Sequence, residues 1–400
     1  TRIRTKNAMY LEDSSWWPLR EKISLKFIST MKQSNKKVME KTKRLLIMCP
    51  YPKDCAGSQR FRFEQYIPLW EANNIEVSLR SFLTEWGWTV VYRKGFFLLK
   101  VLATLLGFCR RFLCLFTLKR YDLVFIHRET CPIGPAFFEW WIARVAKKKI
   151  VYDFDDAIWI NNTTNAWIYL LKNPGKTKKI CTWSSMIFVG NQFLADFASQ
   201  YNNSVIVIPT TIDTANHHNT TKDYTEEKDA LCIGWTGSHS TLPYLTEIDG
   251  ALTQIQNKYA IQVKIIANSR PTNLGVAFHF EAWDKQREID QLLDIDIGIM
   301  PLPDKEWAQG KCAFKALQYL SLEIPCIASP VGANKKVVLP SVTGLWAECE
   351  DEWAKALEML LLDRPLREKM GRAGRRHVEK NYSVSSQRDL ILECIYHLML

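Results

Sequence analysis

What most constrains this chain is a repeated alternation of short apolar runs with amphipathic segments. From Arg44 onward, apolar runs occur at Leu45–Met48, Ile75–Leu79, Leu123–Ile126, Ile150–Phe154, Met186–Val189 and Val205–Ile208. Segments with helical apolar spacing separate them, among them Phe61–Ala72, Pro135–Ala146 and Gln192–Ser199. Strands apolar on both faces belong to a parallel sheet covered by helices on both sides. The alternation stops at Thr210–Asp229, a polar stretch rich in Thr, Asn and His that predicts a linker. It resumes with strands at Leu231–Trp235, Val263–Ala267, Ile295–Met300 and Pro325–Ala328. Helices are expected over Pro243–Asn257, Arg287–Leu293, Lys311–Leu322, Glu352–Leu361 and Leu366–Tyr382. The pattern predicts two doubly wound α/β domains, residues 44–209 and 230–372, joined by the linker 210–229 and followed by a helical segment over 373–400. Residues 1–43 are polar and basic, lack the apolar core of a signal peptide and are expected to lie outside the fold, with a start at Met31 or Met39 as one reading. Paired open sheets turn the carboxyl ends of their strands toward one cleft, where such sheets bind ligands.

At 400 residues, 47% hydrophobic and 24% charged, the chain is neither disordered nor a small disulfide scaffold. Its net charge of +11 is unevenly placed: residues 1–200 hold 32 Lys+Arg against 16 Asp+Glu, and residues 201–400 hold 21 against 26. An acidic partner should therefore prefer the first half. No recognition element for nucleic acid accompanies that charge, so nucleic-acid binding is not expected. The eleven cysteines show no two-residue spacing and read as small buried side chains in a reducing compartment. The longest apolar stretch, Gly95–Leu118, is broken by Lys100, Arg110 and Arg111, which argues against a membrane span. Its Phe and Leu residues beside Arg93, Lys94, Lys119 and Arg120 suit a helix lying in a membrane interface; a core helix is the alternative. The surrounding charge favours contact of residues 93–120 with an anionic membrane surface.

Three segments carry chemistry. Ile233–Thr241 reads as a strand running into a loop, where Gly237 lets backbone approach a ligand, Ser238 offers a hydroxyl and the next helix start offers free N–H groups to an anion. A tight turn with a hydroxyl cap explains it equally well, and it is not a dinucleotide or Walker fingerprint. Lys311, Lys315 and Gln318, spaced four and three apart, are expected on one face of a helix near its positive end, a site for a diphosphate; a solvated lysine face is the bland reading. Tyr152–Trp159 holds Asp153, Asp155 and Asp156. Asp153 and Asp155 are expected on one side of an extended strand, with Asp156 opening the loop. Clustered carboxylates serve as a base, orient sugar hydroxyls or bind a divalent metal, while Asp156 as a helix cap is the structural alternative.

Gly234–Leu245, the run Asp296–Gly332 and the tail Arg364–Ser383 together resemble glycosyltransferase family 4, over about Arg44 to Ser383. The resemblance implies the GT-B architecture: two Rossmann-like domains facing a central cleft, the donor held mainly by the second, and a C-terminal helix crossing back. Two family glutamates eight positions apart fall on Gly310 and Gln318, and the family arginine after the first donor loop falls on Ser238. Diphosphate binding is then expected from Lys311 and Lys315 with Arg270, and a ribose contact from Gln318. Asp54–Arg60 resembles the glycine loop near the donor phosphates, giving Gly57 and, as a phosphate clamp, Arg60. His127 resembles the histidine that many members place near the donor sugar; with Asp155 and Asp156 it is expected to position sugar and acceptor. The Asp153-x-Asp155 match to the metal motif of the GT-A fold is read as coincidence. Implied is a cytoplasmic enzyme, peripheral on the inner face of the plasma membrane, that moves a hexose from a UDP- or GDP-linked sugar to a glycan or polyprenyl-linked acceptor. Retention of configuration, no cofactor or metal, and a place in cell-surface polysaccharide synthesis complete the expectation. The alternatives are a nucleotide-sugar-binding protein without catalysis and a sugar-nucleotide epimerase of the same fold.

Overall fold

The structure is a computed structural model and describes residues 42–160, 165–226, 228–238 and 240–400. Residues 1–41 of the expected extension, with Met31 and Met39, and His239 of the expected donor loop lie outside the described residues.

Six parallel strands form the first sheet in the order β2-β1-β3-β4-β5-β6. They are β1 Lys43–Cys49, β2 Ile75–Ser81, β3 Leu123–His127, β4 Lys149–Phe154, β5 Met186–Val189 and β6 Val205–Val207. The second sheet runs β12-β11-β10-β7-β8-β9, also parallel. Its strands are β7 Leu231–Gly237, β8 Ile261–Ala267, β9 His279–Ala282, β10 Ile297–Met300, β11 Cys326–Ala328 and β12 Gly344–Trp346. The central strands are buried on both faces, with Leu45, Leu46, Ile47, Met48 and Cys49 fully covered, which is why they read as continuous apolar runs. Winding reverses between β1 and β3 and again between β7 and β10, opening a crevice at the carboxyl ends of those strands.

Four expectations change. The helix expected over Lys311–Leu322 begins only at Phe314, because Ala313 sits in the left-handed region at φ 54° and breaks the turn before it. The helix expected from Phe61 is instead a 3-10 turn at Glu64–Tyr66 leading into Ile67–Ala72. Edge strands β9 and β12 were not anticipated. The boundary expected at 372/373 falls inside the Arg364–Asn381 helix, which Asp363 caps by accepting from the Leu366 N–H at 2.8 Å.

The chain leaves the second domain at Tyr382–Ser383. The following helix, Val384–Met399, places Ile391, Cys394 and Ile395 in the core beneath the first sheet with Leu45, Ile47 and Phe125. The outgoing linker meets this return: Ile212 N donates to Tyr382 O at 2.8 Å and Val384 N to Ile212 O at 3.1 Å. Although polar in sequence, the linker buries Thr211, Ile212 and His218 completely.

Candidate active site

His127 ends β3 and is fully buried. Its Nδ1 lies 2.6 Å from Oδ2 of Asp153, on the neighbouring strand β4, and the other carboxylate oxygen is held by the Arg62 guanidinium. Burial disfavours the Asp153 anion, but Arg62 and His127 outweigh it and hold its pKa below the ordinary value. The ionised Asp153 accepts from Nδ1, which fixes the ring orientation and turns Nε2 away from the carboxylate. That ring nitrogen is buried and has no hydrogen-bond partner among the described residues.

β4 ends at Phe154, so Asp155 lies beyond the strand rather than beside Asp153 on it, and residues 157–160 after Asp156 form no helix for it to cap. Both carboxylates are engaged by cations. Arg128 Nε donates to Asp155 Oδ1 at 2.9 Å, and Arg128 itself takes φ 58°. Lys311, from the second domain, donates to Asp156 Oδ2 at 2.8 Å with its ammonium 3.5 Å from the Trp307 ring centroid.

Because Lys311 precedes the Phe314–Ser321 helix, it does not share a helix face with Lys315 and Gln318. The two lysines are instead close enough for Lys311 to lower the pKa of Lys315. Burial is the larger cause, Asp156 opposes both, and the result is about 7. Lys315 Nζ donates to Thr241 Oγ1 at 3.1 Å, and its aliphatic stem fills the space beside Gly237, where a Cβ would stand 2.5 Å from Lys315 Cε. Gly237 therefore admits a lysine stem. Ser238 is exposed, its hydroxyl 2.9 Å from that of Ser240.

The remaining expected residues divide. Arg60, at the end of the Gly57–Arg60 helix, is buried against Glu288 of the second domain at 2.7 Å. Glu288 also meets His217 Nε2 at 3.1 Å and accepts from Gln318 Nε2 at 3.3 Å. Burial would raise the Glu288 carboxyl, but the His217 contact and the Arg60 charge prevail and hold it at about 2. Gly57 faces Phe314 across the cleft with room for a Cβ at 3.8 Å. Arg270 does not join the lysines: it is exposed after β8, its guanidinium 5.1 Å from the Phe278 ring centroid.

The domains also pack closely at two glycines and through one side-chain amide. A Cβ on Gly190, after β5, would stand 2.2 Å from Cys312 Sγ, and one on Gly310 would stand 2.7 Å from Ala157 Cβ. Asn191 Nδ2 donates to the carbonyls of Gln309 at 3.2 Å and Lys311 at 3.0 Å. Asp153, Arg62, Arg128, Glu288, His217 and Asn191 were not singled out beforehand as site residues. Only Asp153 carried a sequence signal, as the first acid of its cluster.

Residues 264–377 match the model of the family described as glycosyl transferases group 1. The chain is similar in structure to sucrose-phosphate synthase from Thermosynechococcus elongatus, with a TM-score of 0.64 at 12% identity over 89% of this chain and 99% of that one. Anabaena HepE in complex with UDP and glucose gives 0.59 at 12%, covering 89% and 100%, and a glycosyltransferase from Rickettsia africae gives 0.59 at 13%, covering 90% and 99%. The fold is GT-B. No curated protein sequence matches the chain. Within the GT-B frame, the second domain contributes Lys311, Lys315, Gln318 and Glu288 to the facing surfaces, and the first domain contributes Arg60, His127, Arg128, Asp155 and Asp156.

Proposed function

We propose that this protein transfers a hexosyl group from a UDP- or GDP-linked sugar to a glycan or polyprenyl-linked glycan, with retention of configuration. It acts in the cytoplasm at the inner face of the plasma membrane, in the synthesis of a cell-surface polysaccharide. The observation that carries the reading is the meeting of cations from both domains around Asp156, Lys311 with Lys315 beside it from the second domain and Arg128 from the first, while Arg60 of the first domain reaches Glu288 of the second. An Anabaena protein of the same fold was solved with UDP and glucose, which favours a nucleoside diphosphate sugar as donor.

Charge builds on the departing diphosphate in the transition state, and preplaced cations lower the barrier most where water is excluded. Without donor, Lys311 is held by Asp156 and Arg60 by Glu288; the diphosphate takes those cations over, and the carboxylates turn to sugar and acceptor hydroxyls. His127 meets a donor-sugar hydroxyl through Nε2. Asp155 stays paired with Arg128, and the chain's own cations rather than a divalent ion meet the diphosphate, so chelator leaves turnover unchanged.

Transfer from labelled nucleotide sugars tests the reading, with donors chosen by thermal shift, since a bound donor raises the melting temperature by mass action. Lys315→Ala is expected to lower turnover about a hundredfold, in line with loss of one transition-state donor. Binding without turnover across a broad donor and acceptor panel would leave a binding protein, and product formed from donor alone would leave an epimerase.

A further inference from the structure

The helix Phe97–Thr117 is long and apolar enough, by length and composition, to cross a membrane, yet one stripe of it is locked to the first domain. Ala103, Gly107, Arg111 and Cys114 are buried. The Arg111 guanidinium donates to the carbonyls of Cys49, Arg80 and Thr130, each at 2.7 Å. Gly107 lies so close to Phe82 that a Cβ would stand 2.6 Å from its ring.

The opposite face is apolar and open: Phe97 is 76% exposed, Leu98 80%, Leu113 66% and Phe116 85%. The helix contains no Asp or Glu. Its apolar surface continues through ring contacts from Phe112 to Phe137 at 6.0 Å and from Phe137 to the exposed Trp140 at 6.2 Å. Exposed Leu170 and Leu171 adjoin, tied in by Gly134 N donating to Leu171 O at 2.7 Å. Patches of this kind mark interaction sites.

Charge selects the occupant. From Arg93 to Lys149 there are twelve Lys+Arg and three Asp+Glu, and Arg93, Lys94, Lys119 and Arg120 at the two ends of the helix are all exposed. A second copy of this face would bring like charge against like. Spanning a bilayer would strip Arg111 from three carbonyls. An apolar face within a basic rim matches a bilayer with anionic headgroups.

We infer that the first domain docks on an anionic membrane through a two-part face, the Phe97–Thr117 helix lying in the interface plane with the Phe137–Trp140 turn beside it. This deepens the membrane-side reading proposed above and assigns its residues.

The test is sedimentation of the full chain with phosphatidylglycerol or phosphatidylcholine vesicles at low and high salt. Binding is expected to phosphatidylglycerol, weakened by salt. Joint Leu98→Ser, Leu113→Ser and Phe116→Ser should lower the bound fraction about tenfold without lowering the melting temperature. Joint Arg93→Glu, Lys94→Glu, Lys119→Glu and Arg120→Glu should abolish the preference for phosphatidylglycerol. Protein left in the supernatant at both salts overturns the docking. So does a dimer in light scattering that the serine variant dissolves, and binding that resists alkaline carbonate overturns the interfacial placement. A donor thermal shift on the same samples reads the cleft separately: lost sedimentation with a retained shift sinks the docking alone, and the reverse sinks the transfer reading alone.

Discussion

A lysine whose pKa lies near 7 is half charged at neutral pH, and Lys315 is that group. A diphosphate beside it favours the charged form. Above pH 7, donor binding must therefore take up a proton at Lys315; below pH 7 it need not, because the proton is already there. Calorimetry of UDP or GDP binding in buffers of different ionisation heat should show proton uptake at pH 8 and little at pH 6, and Lys315→Met should remove the difference. Glu288 behaves in the opposite sense. Its carboxyl is depressed from an ordinary 4.5 to about 2, so its contribution is complete above 4.5 and is lost as pH falls toward 2. Glu288→Gln leaves the Arg60 guanidinium buried without counter-charge, a loss of about 3 kcal/mol in urea unfolding at pH 7 that should shrink at pH 3.

Elements differ in how plainly the sequence announces them. Strands covered on both faces, such as β1 and β3, appear as unbroken apolar runs, and their order along the chain already argues for parallel sheets. β9 and β12 lie at sheet edges, are only partly covered and show no such run. The start of the Phe314–Ser321 helix was hidden for another reason: a single left-handed residue, Ala313, sets it, and nothing in alanine's chemistry signals positive φ. Within the candidate site, groups on strand ends were legible, as His127 shows. Cross-cleft partners were not, because Arg60 and Glu288 are 228 residues apart and meet only once both domains exist. The Phe97–Thr117 helix was half legible: its composition marked an interface helix, but Arg111, counted as an interruption, is its anchor. Replacing Arg111 with Met deprives three carbonyls of a donor, each lost bond costing about 1–3 kcal/mol. A urea midpoint unchanged by Arg111→Met would contradict that role.

At the scale of the whole molecule, the two domains approach until some positions have no room for a side chain. Gly190 is such a position, and Gly190→Ala should hold the domains apart, raising the radius of gyration in solution scattering and weakening donor binding. Cys312→Ala removes the clashing sulfur, and since Cys312 Cβ would stand an ordinary 3.5 Å from the new methyl, the double variant should recover both. The return of the Val384–Met399 helix has a temporal consequence. A chain made from its amino end completes the second domain while the first still lacks Ile391, Cys394 and Ile395 beneath its sheet. During synthesis the domain begun first is therefore the one finished last. Until the last helix arrives it presents an open apolar floor, and a chaperone that shields such surfaces has its longest opportunity there.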